Sequence, residues 1–257
     1  MIDLGEEIIG MSEEKTERTD GTELPEKDNS ASTIYKIFYT LFSGLVGLIL
    51  RIKVIGRENE PAKGGFVVCA NHTSGTDPIV ICYAFRKHQV RFMAKKELFK
   101  IPILAQLVSV LGAFPVDRAG NDVGAIKKAV NMVKEGKCMG IFPQGHRYPE
   151  VDPRTTETKN GAALITVKSE ADVIPAYIVR KNNANKLFRR TWLVIGEPIP
   201  FESFNYDAEG AGEYARISEI IFDRICTLGE QFPEERLKQL YKEQKKAEKM
   251  KKRSGRA

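Results

Sequence analysis

Residues 65 to 78 read Gly65-Phe66-Val67-Val68-Cys69-Ala70-Asn71-His72-Thr73-Ser74-Gly75-Thr76-Asp77-Pro78. The apolar run up to Ala70 has the β-branched character of a strand, and the small polar residues after His72 make a turn. Asp77-Pro78 then reads as a helix start, with an N-cap carboxylate and proline at the first helical position. Strand, turn and helix in that order form the unit from which a parallel sheet covered by helices is built.

The unit recurs along the chain. Residues 90–94, 113–117, 138–142, 173–179 and 191–195 read as further strands. Helical patterns fill the gaps at 77–85, at 97–111 with an early break at Pro102, and at 122–134, 160–168 and 212–228. The expected fold class is α/β, a layered and mostly parallel sheet flanked by helices, with a membrane-associating helix ahead of it. At 257 residues and 42% hydrophobic composition, the chain supports one well-buried domain of roughly 200 residues plus tails. That domain is placed at 53–231.

The flanks have opposite characters. Residues 1–31 are expected to be a disordered acidic segment, because they lack apolar periodicity and carry ten Asp or Glu against Lys15, Arg18 and Lys27. The net charge of the whole chain is +6, so the remainder holds about +13. Residues 32–52 are then apolar nearly all round. The uncharged run between Lys36 and Arg51 is fourteen residues, about 21 Å as a helix, whereas a membrane span needs about twenty residues. A membrane-interface helix fits that length, with Tyr35, Tyr39, Lys36 and Arg51 at its polar boundary. A core helix packed on the domain is the alternative. Residues 232–257 read as a basic C-terminal helix or tail, with ten Lys or Arg from Arg236 to Arg256 opposed by Glu243 and Glu248. A solvated face and a lipid-binding face both accommodate that composition.

A basic body attracts phospholipid headgroups, phosphorylated substrates or nucleic acid. Nucleic acid is set aside, because there is no recognisable binding motif and no interleaved aromatic platform. Cys69, Cys82, Cys138 and Cys226 form no CxxC pair and follow no secretory signal. They read as free thiols in a reducing compartment rather than as a disulfide framework or a zinc site. The expected location is the cytoplasmic face of a membrane, peripheral or monotopic.

In an open α/β sheet, ligands gather where the C-terminal ends of strands turn into helices. At the first such end, His72 and Asp77 are five residues apart, about 140° around a continuous helix, so only the intervening turn brings them together. A carboxylate accepting from one ring nitrogen leaves the other facing substrate as a general base. The N-cap and partner roles of Asp77 are compatible. At two later strand ends stand Arg118, in Phe114-Pro115-Val116-Asp117-Arg118, and Arg147, in Phe142-Pro143-Gln144-Gly145-His146-Arg147. Guanidinium groups converging from separate strands suit capture of a phosphate. Lys159, before Asn160-Gly161, adds charge at a helix start or is simply solvated. His146 is assigned to phosphate ahead of a rival role as base, and His88 reads as a solvated turn residue.

The order of these motifs resembles the glycerolipid acyltransferase family, most closely its branch acting on 1-acyl-glycerol-3-phosphate. The resemblance covers roughly residues 50 to 200. Asn71-His72 through Asp77-Pro78 is similar to the family's Asn-His-x4-Asp signature, and Met93-Ala94-Lys95-Lys96-Glu97-Leu98-Phe99 to its next segment. The stretches ending in Arg118 and Arg147 resemble the second and third blocks, and Val173-Ile174-Pro175-Ala176 the fourth. The resemblance implies an acyltransferase domain over 53–231 and His72 with Asp77 as the catalytic pair. It further implies Arg118 and Arg147 on the acceptor phosphate, Gly145 within that block, and Pro175 near the substrate. The third block departs from the usual Phe-Pro-Glu-Gly-Thr-Arg, with Gln144 for Glu and His146 for Thr, so the carboxylate's role does not carry over. Gln144 still offers a hydrogen bond without repelling a phosphate.

The expected reaction transfers an acyl group from acyl-CoA or acyl carrier protein to the sn-2 hydroxyl of lysophosphatidic acid at a phospholipid membrane surface. No cofactor and no metal are expected. Without a G-x-S-x-G elbow, direct transfer is preferred, with Ser74 as the one rival nucleophile. The alternatives are acylation of another lysophospholipid or of glycerol phosphate, and a non-catalytic peripheral lipid-binding protein.

Overall fold

The computed structural model describes residues 44–116, 123–184 and 188–254. Within them, β1 (Ile52–Ile55), β2 (Val67–Ala70), β3 (Val90–Lys95), β4 (Phe114–Val116), β5 (Cys138–Ile141), β6 (Val173–Val179) and β7 (Thr191–Ile195) form one sheet. Its order is β1-β7-β6-β2-β5-β3-β4. Among the described residues every pairing is parallel except β6 with β7. Around the sheet lie α1 (Asp77–Ala84), α2 (Pro102–Val110), α3 (Val123–Lys134), α4 (Gly161–Ser169), α5 (Glu213–Gln231) and α6 (Glu234–Ser254). Residues 44–49 are also helical.

Strand periodicity divides the core into two layers. Successive strand side chains face opposite sides, so Val67 and Cys69 of β2 meet Ala125 and Ala129 of α3, Ile165 of α4 and Ile221 of α5. Val68 and Ala70 point the other way, toward Val80, Ile81 and Ala84 of α1. The helices are made by matching patterns. In α3 the buried residues are Ala125, Ala129, Val130 and Val133, a single stripe at helical spacing. In α4 every residue from Ala162 to Val167 is buried, so this short helix lies within the core.

All six expected strands are present, shorter at some ends by one or two residues. The expected break at Pro102 is a change from 3-10 helix over Lys96–Lys100 to α2. One strand was not anticipated. The helical reading ran through residue 52, whereas Ile52 begins β1 and pairs with Thr191. Arg51 sits at φ 46, a left-handed conformation that ends the preceding turn. Four residues are too few for period-two alternation to stand out beside an apolar helix.

Residues 1–43 lie outside the described residues, and with them the acidic segment and most of the expected interface helix. Its described part, 44–49, does two things. Val46 is buried and Gly47 faces Tyr83 of α1, while Leu45 and Leu48 are 52% and 72% exposed. Among the described residues no helix is long and apolar enough to cross a membrane. At the other end, the basic segment is a helix docked by its first turns. Leu237 is buried with Trp192 and Val194 of β7, and Tyr241 meets Trp192 edge-on with ring centroids 5.8 Å apart.

The topology also selects a site. After β2 the chain runs through α1 to β3, on one side of β2. After β5, the neighbour of β2, it runs through α4 to β6 on the other side. Adjacent strands with oppositely directed connections open a crevice at their C-terminal ends, the usual ligand position in such sheets.

Candidate active site

The loop leaving β2 is built by hydrogen bonds to two other strand ends, those of β5 and β6. Asn71 continues the β2 to β6 pairing with its side chain: Oδ1 accepts from Ile178 N at 2.7 Å and Nδ2 donates to Ile178 O at 3.1 Å. The chain then turns back on Asp77. One carboxylate oxygen, Oδ2, accepts from Thr73 N and Ser74 N, each at 2.7 Å, and pairs with His72 Nδ1 at 2.8 Å. The small residues of the turn permit that convergence. Asp77 is not the helix cap expected from Asp-Pro, because Thr76 holds that position and the carboxylate serves the preceding loop instead.

This geometry fixes a tautomer. An ionised carboxylate only accepts, so in the neutral ring it is His72 Nδ1 that carries the proton and Nε2 that holds the lone pair. Asp77 is wholly buried and His72 is 7% exposed. Burial pushes the Asp77 carboxyl up, but the hydrogen bond from His72, the charge of Arg180 and the N–H of Ser74 together hold it below the ordinary carboxylate range.

The loop after β5 locks the histidine from behind. Gln144 Oε1 accepts from His72 N at 2.6 Å, and Tyr148 N donates to His72 O at 2.9 Å, so both backbone groups of His72 are held by this segment. Gln144 Nε2 donates to Thr156 Oγ1 at 2.7 Å, and that hydroxyl donates to Pro153 O at 2.7 Å. Having given away its proton, Thr156 needs a donor, and the amide of Gln144 supplies one where a carboxylate would not. Phe142 stacks on the His72 ring, with centroids 4.0 Å apart and planes 11° from parallel, and Phe92 stacks on Phe142 in turn. Gly140 makes room for that pile, since a Cβ there would lie 2.2 Å from the Phe92 ring.

His72 opens onto a cavity of about 320 Å³. Ile79 and Cys82 from α1, Phe92, and Leu107 and Leu111 give it an apolar wall, while Lys95 at the end of β3 and Arg147 add positive charge. Arg147 is exposed, its guanidinium lies over Gly75, and it makes no ion pair among the described residues. Cys82 is no nucleophile, because burial pushes its thiol up to about 12. The Ser74 hydroxyl pairs with Thr76 Oγ1 at 3.1 Å rather than with the His72 ring.

Other expected site residues lie elsewhere. Gly145 adopts φ 73 in the tight turn closed by Gly145 N to Phe142 O, and lies against the Lys159 stem. Lys159 itself is exposed, 3.9 Å from Glu157, and does not line the cavity. Pro175 is buried within β6 opposite Cys69, also away from the cavity lining. Arg118 lies outside the described residues. His146 is exposed and its ring packs near Tyr148. His88 is not a solvated turn residue. It is 5% exposed and pairs with buried Glu60, which also accepts from the N–H groups of Arg86, Lys87 and His88.

One residue of the site went unnoticed in the sequence. Arg180, the residue after β6, is 5% exposed and reaches the other oxygen of Asp77, with Nη1 2.5 Å from Oδ1. The same strand-end criterion that selected Arg147 would have found it.

Residues 51–179 match the family model described as Acyltransferase. The chain is 32% identical over 197 residues to the 1-acyl-sn-glycerol-3-phosphate acyltransferase of Bacillus subtilis, covering 76% of this chain and 96% of that one. It is 31% identical over 161 residues to the enzyme of the same name from Streptococcus pneumoniae, covering 58% of this chain and 57% of that relative. Among solved structures, the 1-acyl-sn-glycerophosphate (LPA) acyltransferase of Thermotoga maritima shares the fold, with a TM-score of 0.59 at 24% identity over 77% of this chain and 78% of that one. The chain belongs to the acyltransferase family.

Proposed function

We propose that the protein transfers an acyl group from acyl-CoA or acyl carrier protein to the sn-2 hydroxyl of 1-acyl-glycerol-3-phosphate, giving phosphatidic acid for phospholipid synthesis. The observation that carries this reading is His72, hydrogen-bonded to a buried carboxylate through Nδ1 and opening onto an apolar cavity rimmed by Arg147 and Lys95. The names of the Bacillus and Streptococcus relatives supply the acceptor.

In the proposed reaction the acceptor hydroxyl gives its proton to His72 Nε2 as its oxygen attacks the thioester carbonyl. Asp77 steadies the imidazolium, the tetrahedral intermediate collapses with C–S cleavage, and the proton passes to the departing thiolate. Atoms balance with an ester and a free thiol as products. Arg147, together with Arg118, binds the acceptor phosphate, and the apolar wall takes an acyl chain. Gln144 acts behind His72 rather than on substrate. Lys159 and Pro175 have no contact with the cavity and are assigned no substrate role. The cytoplasmic face of a membrane is the proposed location. Exposed Leu45 and Leu48 belong to the helix that packs on α1, the same helix that lines the cavity.

The test is purified protein with a radiolabelled acyl thioester and a panel of acceptors, with His72→Ala as blank. Labelled phosphatidic acid from 1-acyl-glycerol-3-phosphate supports the proposal. Preferred turnover of another lysophospholipid or of glycerol phosphate transfers the assignment to that acceptor. Lipid binding with no transfer to any acceptor leaves a non-catalytic lipid-binding protein. A labelled acyl group retained on Ser74 after mixing with donor alone would sink direct transfer.

A further inference from the structure

We infer that Arg180 is a positioning residue for this reaction, holding the Asp77 carboxylate in place and balancing its charge so that His72 stays available as a base. The inference rests on the proposed function and deepens it. Arg180 does not line the cavity, so it acts through Asp77 and not on substrate.

The geometry is a brace from the end of β6 to the whole turn. Nη1 donates to Asp77 Oδ1 at 2.5 Å and to Thr73 Oγ1 at 2.7 Å, and Nη2 donates to Thr76 Oγ1 at 3.2 Å. The side chain is 2% exposed and Asp77 is 0% exposed. Oδ2 is already committed to His72, Thr73 N and Ser74 N. Among the described residues Arg180 is the one charged partner of Oδ1. Without it that oxygen would be buried and unpaired, and the carboxylate would be free to rotate or to take up a proton. Either change loses the hydrogen bond that sets the His72 tautomer. Burying a guanidinium is costly, and Arg180 Nε has no hydrogen-bond partner among the described residues, so packing stability alone is a poor reason for its presence.

A lone buried carboxylate against an imidazole favours the imidazolium, which is useless as a base. The guanidinium on the far side of the carboxylate offsets that field. When His72 has taken the substrate proton, the trio of His72, Asp77 and Arg180 carries one net positive charge, which favours handing the proton on to the leaving thiolate. The other charged or titratable groups that line the cavity with the ring are Arg147, Lys95 and the Cys82 thiol, while Lys159 beside Gly145 and His146 against Tyr148 stand off the cavity. All of them are unchanged in the variants below.

The experiment measures kcat, acceptor KM and the pH–activity profile for wild type, Arg180→Lys and Arg180→Met, with folding checked by circular dichroism. Arg180→Met should lower kcat about 100-fold, the scale of a small misplacement of reacting groups. Acceptor KM should stay within about two-fold, and the acid limb of the profile should move up by about one pH unit. Arg180→Lys keeps the charge and loses the fork, so kcat should fall about ten-fold with the acid limb in place. Unchanged kcat and profile in folded Arg180→Met would overturn the inference, as would a raised acceptor KM with kcat retained. If Arg180→Met does not fold, Arg180→Lys decides: a fall in kcat at constant KM supports the inference, and wild-type kcat overturns it. A wild type that transfers no acyl group defeats the proposed function itself. An active wild type with an inactive His72→Ala and fully active Arg180 variants defeats this inference alone.

Discussion

Gln144→Glu is the most informative single change outside the His–Asp pair, because it puts a carboxylate in place of the amide that joins His72 to Thr156. The side chain is wholly buried. His72 N still has an acceptor, but the second carboxylate oxygen now faces Thr156 Oγ1 across 2.7 Å, where the amide had donated. Relief requires Thr156 to turn its hydroxyl proton away from Pro153 O, which costs about 1 kcal/mol. Desolvating the new charge with one backbone donor and one hydroxyl costs about 2 kcal/mol more. Together these give about 3 kcal/mol, a fall of about 6–12 °C in Tm for a domain of this size. The deficit should shrink in acid. Burial raises the folded pKa of the new Glu above its unfolded value, so the folded state binds the proton more tightly and the variant gains relative stability as pH falls. The protonated acid also donates to Thr156 as the amide did. Thermal melts of both proteins from pH 8 to pH 5 make the comparison. Equal Tm at pH 8, or a deficit that grows in acid, would refute the hydroxyl-relay argument.

Other changes probe other parts of the site. His72→Ala should lower kcat by about 10²–10⁴ while the fold is kept, read by steady-state assay and circular dichroism. Arg147→Ala should raise the acceptor KM about ten- to a hundred-fold, the worth of a charge-assisted hydrogen bond, and should leave an acceptor lacking phosphate unaffected. Gly140→Ala drives a methyl into the Phe92 ring, so it should cost about 1–3 kcal/mol by denaturant melts and also lower kcat, because Phe92 supports Phe142 and Phe142 supports His72. For Glu60, burial pushes the carboxyl up, yet the bonds from the His88 side chain and three backbone N–H groups hold it below its ordinary value. Its contribution to stability is therefore present above the unfolded value near 4.3 and fades as pH falls below it. Glu60→Gln should be destabilised by about 1–3 kcal/mol at pH 7, with the difference closing in acid, measured as Tm against pH.

Six of the seven strands, the main helices and the turn at 71–78 were legible in the sequence because they depend on neighbours along the chain. Alternating side chains, proline after aspartate and glycine at a turn act within a few residues of one another, and His72 stands only five residues from Asp77. The strand-end criterion added Arg147, and the family resemblance added roles for Gln144 and Gly145 to a site that spacing alone left open. Other features depended on which strands lie side by side. Arg180 reaches Asp77 across 103 residues and Asn71 reaches Ile178 across 107, and both meetings follow from the parallel register of β2 with β6. The burial of His88 depended on Glu60, 28 residues upstream, and the place of Pro175 on its pairing with Cys69. By itself the sequence determined the local elements and the His–Asp turn, because short-range sterics and hydrogen bonding suffice for them. The tertiary structure alone decided which distant charge steadies Asp77 and which amide holds His72. Those partners are chosen by sheet order and register, which no local pattern records.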